Sequence, residues 1–328
     1  MRKLLFLLFF LASAAAAQTA PPPVPASSSQ AEPAAPAPPG TDLAFVNLGD
    51  RMTVPVSIAG AGPYHFLIDT GAQRTVISRE LAATLGLPAG RNVRLIAMTG
   101  AQSVGTALIP SLGVDKVASV RGSGIEAPTL LQANLGALGI LGVDTLQDNA
   151  VAIDFDRSVM NVQPSERRAR RRARAEPGEI VVRARNLFGQ LVVTDADYGG
   201  TKVRVVLDTG SVVSMGNEAL RRRLMRRGKA QDIELISVTG GKLVAGYTRI
   251  GRIRMGEAVF QNLPVAFSAD APFQAFGLTD QPAILLGMDA LRLFRRVHID
   301  FANREVRLLM PRDVARGMED ARSGRVAG

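Results

Sequence analysis

The chain has no cysteine in 328 residues. That excludes a disulfide framework and a cysteine-linked lipid anchor. Histidine is almost as scarce. His65 and His298 are the only two, and neither has carboxylates around it at ligand spacing, so no metal site and no other cofactor is expected. No Gly-x-Ser-x-Gly turn and no phosphate loop occurs. Beyond the first dozen residues no apolar run is long enough to cross a bilayer. Without covalent staples the fold must rest on a core of ordinary size, and 47% hydrophobic residues allow one.

The apolar run that does occur sits at residues 4–11, behind Arg2 and Lys3 and ahead of Ala15-Ala16-Ala17. This order of basic start, apolar core and Ala-x-Ala reads as a secretory signal over residues 1–17. It predicts an exported protein, periplasmic or secreted from a bacterium, with no transmembrane segment after signal cleavage. Residues 18–40, rich in Pro, Ala, Ser and Gln, cannot build a packed core and read as a disordered spacer.

The most informative feature is a tripeptide that occurs twice. Asp69-Thr70-Gly71 and Asp208-Thr209-Gly210 lie 139 residues apart, and each closes an apolar run. A carboxylate there is expensive unless it is partnered. More than the tripeptide repeats. Ser78 and Asn217, both good N-caps, occupy the same repeat position ahead of helical segments. Leu95-Ile96-Ala97-Met98-Thr99-Gly100 matches Leu235-Ile236-Ser237-Val238-Thr239-Gly240. Ile140-Leu141-Gly142-Val143-Asp144 matches Leu285-Leu286-Gly287-Met288-Asp289, and Val151–Phe155 matches Val297–Phe301. The offset grows from 139 to 145, so about six residues were inserted in the second half beyond the Gly turn. The strand-like alternation and frequent Gly turns predict a mostly β protein of two lobes, 41–163 and 179–310. An Arg-rich linker (164–178) joins them, and a tail (311–328) follows.

Charge is uneven. Residues 41–163 carry 8 basic and 10 acidic side chains, residues 179–310 carry 19 and 13, and the linker holds six arginines. In an exported protein such runs read as solvated surface, so no nucleic-acid partner is expected.

These blocks resemble aspartic proteases of the retropepsin and pepsin type, over roughly residues 45–163 and 179–310. The resemblance implies two pseudo-symmetric retropepsin-like β-barrel lobes forming a single-chain pseudo-dimer, active as a monomer. It implies an aspartic endopeptidase acting on protein or peptide substrates, with Asp69 and Asp208 as the catalytic pair. In such enzymes the two carboxylates cannot both ionise cheaply, so they share a proton and activate a water without a covalent intermediate or a metal. Thr70 and Thr209 would hydrogen-bond across to the opposite loop. Gly71 and Gly210 would permit a tight turn beneath the carboxylates, and Gly142 and Gly287 would lie where the chain crosses under the active-site loops. Thr99-Gly100 and Thr239-Gly240 would tip two flaps. No Tyr lies in residues 95–110, where pepsins place one in their single flap.

Two local readings go with these. Ser211 stands where the first half has Ala72, and its hydroxyl is expected to donate to the outer oxygen of Asp208. Asp144 and Asp289 are expected to N-cap short helices, with Gln147 completing a capping box. Asp154 and Asp300 are expected to serve turn or backbone hydrogen bonds. The alternative to a protease is a catalytically silent peptide-binding module that kept the fold.

Overall fold

The apolar strand leading into each Asp-Thr-Gly is the axis around which its half is built. The computed structural model describes residues 5–6, 11–12, 41–44, 46–48, 51–114, 117–120, 124–165, 175–187, 190–224, 230–268 and 271–315. Most of the signal and spacer, the arginines of the linker, part of the Arg221–Lys229 basic cluster and most of the tail lie outside these. In the first half the hairpin Arg51–Ile58/Ala61–Ile68 runs into Asp69, and Gly139–Leu141 pairs parallel to its end, Leu141 opposite Ile68. In the second half Thr201–Leu207 runs into Asp208, and Ala283–Leu286 pairs parallel with it, Leu286 opposite Leu207. Phe66, Leu67 and Ile68, like Val205, Val206 and Leu207, are buried, with neighbours on both faces of the strand. That explains the unbroken apolar runs in place of strict alternation. The chain is mostly β, and its two barrel-like sheets match two retropepsin-like lobes.

The lobes share a sheet. Asn149–Asp154 of the first half pairs antiparallel with Arg296–Asp300 of the second, from Ala150↔Asp300 to Asp154↔Arg296. Val159–Pro164 and Glu305–Leu309 flank them on either side. Asp154 accepts from the Arg157 amide (2.9 Å) and Asp300 from the Asn303 amide (2.9 Å), so these repeat-equivalent acids do close turns. Buried residues from both halves, among them Val151, Ile153, Val297 and Ile299, belong to one continuous apolar cluster.

The helices start as the sequence suggests. Ser78 Oγ accepts from the Leu81 amide (3.1 Å) and Asn217 Oδ1 from the Leu220 amide (2.8 Å). The insertion is also located. Thr129 to Gly139 spans ten positions, while their register equivalents Phe267 to Ile284 span seventeen. The extra residues follow the helix Ala271–Ala275, and Asn217 fastens their end by donating to the carbonyls of Leu278 (2.6 Å) and Gln281 (2.7 Å).

Candidate active site

Each aspartate leaves a buried strand and is caught at once by its own turn. Asp69 Oδ1 accepts from the amides of Gly71 (2.7 Å) and Ala72 (3.0 Å). Asp208 Oδ1 accepts from those of Gly210 (3.1 Å) and Ser211 (3.2 Å). One oxygen of each carboxylate is thereby fixed, and both residues are 0% exposed. The outer oxygens, Oδ2 of each, are buried without a hydrogen-bond partner. Two ionised carboxylates can only accept, so such a pair is satisfied only when a proton comes between them.

The halves meet at these turns. A Cβ on Gly71 would lie 2.8 Å from Asp208 Cγ, and one on Gly210 would lie 2.4 Å from Asp69 Cγ. The glycines are needed because the opposite carboxylate occupies that space. The threonines complete the junction reciprocally. Thr70 Oγ1 donates to the Leu207 carbonyl (2.7 Å) and accepts from the Thr209 amide (3.1 Å). Thr209 Oγ1 donates to the Ile68 carbonyl (2.9 Å) and accepts from the Thr70 amide (3.1 Å). Four buried hydrogen bonds therefore fix the relative position of the two carboxylates.

Burial, and after it the charge of Asp208, pushes Asp69 well above the usual carboxylate range. Burial also raises Asp208, against the opposing pull of the neighbouring Asp69 carboxyl and of the Gly210 and Ser211 amides. The pair holds a proton into the neutral range, and that proton belongs to the pair, not to either residue.

Gly142 and Gly287 sit behind the loops. Added Cβ atoms would meet Arg74 C at 2.4 Å and Val213 C at 2.8 Å. They also head the short helices Val143–Leu146 and Met288–Leu291, which corrects the expectation for Asp144, Gln147 and Asp289: the N-cap residues are Gly142 and Gly287. The two acids lie one residue inside those helices and reach the loops. Asp144 Oδ1 accepts from the amide and hydroxyl of Thr75 (2.9 and 2.8 Å), and Asp289 Oδ1 from the hydroxyl of Ser214 (2.6 Å). Those hydroxyls in turn accept from the amides of Gly142 and Gly287 (3.2 and 3.0 Å). Sequence reasoning misses Thr75 and Ser214, although hydroxyls at repeat-equivalent positions are a usable signal.

Ser211 also departs from expectation. Its hydroxyl donates to the Val213 carbonyl (2.7 Å), not to Asp208; only its amide serves the carboxylate. A nearby carbonyl two residues on offers the better acceptor within the turn.

The two hairpin tips meet. Thr99 and Thr239 hydroxyls are 3.4 Å apart. Gly241 packs so closely that a Cβ there would lie 2.7 Å from Thr99 Oγ1, and one on Gly240 would lie 2.8 Å from Asn134 Nδ2. The tips are exchanged. Met98, from the first half, lies buried in the apolar cluster of the second with Phe273 and Phe276, and Val238, from the second, in that of the first with Leu135. No sequence signal marks this crossing. His298 Nδ1 is buried without a partner, and among the described residues no group of three or more His, Asp and Glu side chains is placed to hold a metal.

Comparison with known families agrees with the geometry. A model for gag-polyprotein putative aspartyl proteases matches residues 54–148, and a second model, for aspartyl proteases, matches residues 194–290. No curated protein matches the chain. The two matched stretches hold one Asp-Thr-Gly each, in the same place within each half. The chain belongs to the aspartyl proteases of retropepsin-like type, carrying two such lobes in tandem.

Proposed function

We propose that the protein is an exported aspartic endopeptidase acting as a monomer, its two lobes forming the internal pseudo-dimer. The observation that carries the reading is the pair of fully buried carboxylates, one from each half, whose inner oxygens are held by turn amides while their outer oxygens are unpartnered. A shared proton leaves one carboxylate able to take a proton from a water molecule. The other, protonated, donates to the oxygen of the scissile carbonyl. The water oxygen adds to the carbonyl carbon, the C–N bond breaks, and the departing nitrogen takes the proton from the pair.

Reach is the second requirement. With the tips of both hairpins in contact, a substrate enters only when the flaps part, so Thr99, Gly100, Thr239 and Gly240 line the gate. A peptide-library digest by the wild type beside Asp208→Asn tests the reading. Cleavage by the wild type alone supports it. Tight peptide binding without cleavage by either protein would instead make this a silent peptide-binding module.

A further inference from the structure

The two histidines of the chain stand in unlike places. His65 is exposed on the strand Ala61–Ile68. His298 lies on Arg296–Asp300, inside the sheet that both lobes build. On one side it stands opposite Ala152 of the first half, and on the other opposite Arg307, beyond which comes Val181. Arg296, His298 and Asp300 share one face of their strand, since Val297 and Ile299 between them are buried on the other. His298 is half-buried there, and its Nδ1 is fully buried with no hydrogen-bond partner among the described residues.

Charged groups surround the ring, but they are engaged with one another. On its own strand Asp300 accepts from the Ser165 hydroxyl (2.7 Å) and the Asn303 amide (2.9 Å). Arg296 pairs with Glu176 (3.2 Å) and with Asp154 of the first-half strand (3.8 Å). On the other side Arg307 is held between Glu305 (2.7 Å) and Glu179 (3.1 Å), and Arg183 stands opposite Glu305. A neutral imidazole can leave an acceptor nitrogen unpaired at modest cost. Protonation puts an N–H and a charge on that buried nitrogen with no acceptor to receive it, which costs far more. Burial therefore holds His298 below the ordinary imidazole value; Asp300, Glu179 and Glu305 pull it up and Arg307 pushes it down. The unfolded chain takes up the same proton near pH 6.5, so stability is lost as pH falls through about 6.5 toward the folded value.

We propose that His298 is an acid-sensitive latch on the joint between the lobes. Uncharged, it lets the strands Asn149–Asp154 and Arg296–Asp300 close on each other; charged, it loosens them. Each lobe brings one aspartate, so the placement of Asp69 against Asp208 depends on this joint as well as on the threonine bonds. The latch works in the opposite sense to the buried dyad, whose contribution to stability is lost as pH rises. The inference goes beyond the proteolytic reading and does not rest on it.

The first test follows both imidazoles of the full chain by NMR, with His65→Gln, at an exposed position, to assign the signals. His298 is expected to take up its proton at lower pH than a free imidazole. In step with it, amides of 149–154 and 296–300 are expected to lose protection at least about tenfold, after correction for the intrinsic pH dependence of exchange. Titration of His298 at or above the ordinary value would overturn the proposal, and so would protection that does not follow it. The second test is His298→Gln, which keeps a planar polar side chain and cannot be charged. Between about pH 7 and about pH 5 the melting temperature of the wild type is expected to fall relative to the variant by about 2 °C or more. Both proteins carry the dyad, so its own pH dependence cancels in the difference. A difference that stays constant with pH would overturn the latch. The NMR arm needs no substitution at 298, and neither arm needs turnover, so a failure of the proteolytic reading is told apart from a failure of this one.

Discussion

Laid over each other, the two halves agree at the loops that hold the aspartates and differ in what surrounds them. Both loops use one aspartate oxygen on two turn amides, a threonine reaching across, and a glycine against the opposite carboxylate. Both are backed by an acid on a hydroxyl, Asp144 on Thr75 and Asp289 on Ser214. The seats for the flap tips are not alike. The second half seats Met98 against Phe273, Phe276 and Leu278; the first half seats the smaller Val238 against Leu135 and Ala137. A larger tip residue thus goes with a larger seat, as close packing demands. The junction between the halves is constrained from both sides and stays symmetric, whereas each flap and its seat can change together.

The strongest way to break the symmetry is to remove one carboxylate. Asp69→Asn and Asp208→Asn are each expected to lower kcat/KM by on the order of 10⁴-fold, and the double variant to lose little more, because the pair works as a unit. The same variants test the electrostatics. A buried Asp whose folded pKa is raised holds a proton that the unfolded chain has already released. Wild-type stability is therefore expected to fall as pH rises from about 4 toward neutrality, because both members of the pair are raised. Melting temperature against pH should flatten in both Asp69→Asn and Asp208→Asn. The same slope in all three proteins would contradict the assignment.

The glycines come next. Alanine at 210 drives its Cβ to 2.4 Å from Asp69 Cγ, and alanine at 71 to 2.8 Å from Asp208 Cγ. Real contacts of this kind do not occur, so the opposite carboxylate must move. Misplacement of about 1 Å costs on the order of 10²-fold in rate. Both variants are expected to lose at least that much kcat, Gly210→Ala more than Gly71→Ala. The reverse order would show that the first loop yields more easily than the second.

Much of this symmetry is legible in the amino-acid sequence alone. The duplicated Asp-Thr-Gly, the repeat-equivalent caps Ser78 and Asn217 and the glycines Gly142 and Gly287 are visible because backbone demands leave few residue choices. Internal alignment does the rest, since two halves of one chain serve as each other's comparison. Asp144 and Asp289 are misleading because an acid near a helix start fits the cap rule as well as it fits a distant hydroxyl, and only the fold brings Thr75 and Ser214 within reach. The exchange of Met98 and Val238 is invisible for a like reason: apolar tip residues look the same whichever lobe receives them.

A smaller effect is expected at the cross-lobe threonines. Thr70→Val leaves the Thr209 amide and the Leu207 carbonyl without partners, and Thr209→Val does the same to the Thr70 amide and the Ile68 carbonyl. Each buried orphan costs about 1–3 kcal/mol. Thermal or urea denaturation should show both variants destabilised by about 2–6 kcal/mol and by similar amounts, because the bond sets are mirror images. A large difference between them would mean that the lobes are not held symmetrically.

The smallest expected effect is at Ser211, the one position of the aspartate turns where the halves differ in side-chain chemistry. The amide of residue 211 holds Asp208 Oδ1, as the amide of Ala72 holds Asp69 Oδ1. Alanine keeps an amide, so Ser211→Ala preserves the carboxylate's hydrogen bonds. The acid limb of the activity profile should then stay where it is in the wild type. What the substitution removes is the 2.7 Å bond to the Val213 carbonyl, a buried group that loses one donor, at about 1 kcal/mol of stability. A pH profile and a denaturation curve on the same preparation separate the two roles. A shift of the acid limb with unchanged stability would show that the hydroxyl turns toward Asp208 in the working enzyme. A loss of stability with an unmoved limb would show that the two halves charge their dyad identically, through backbone alone.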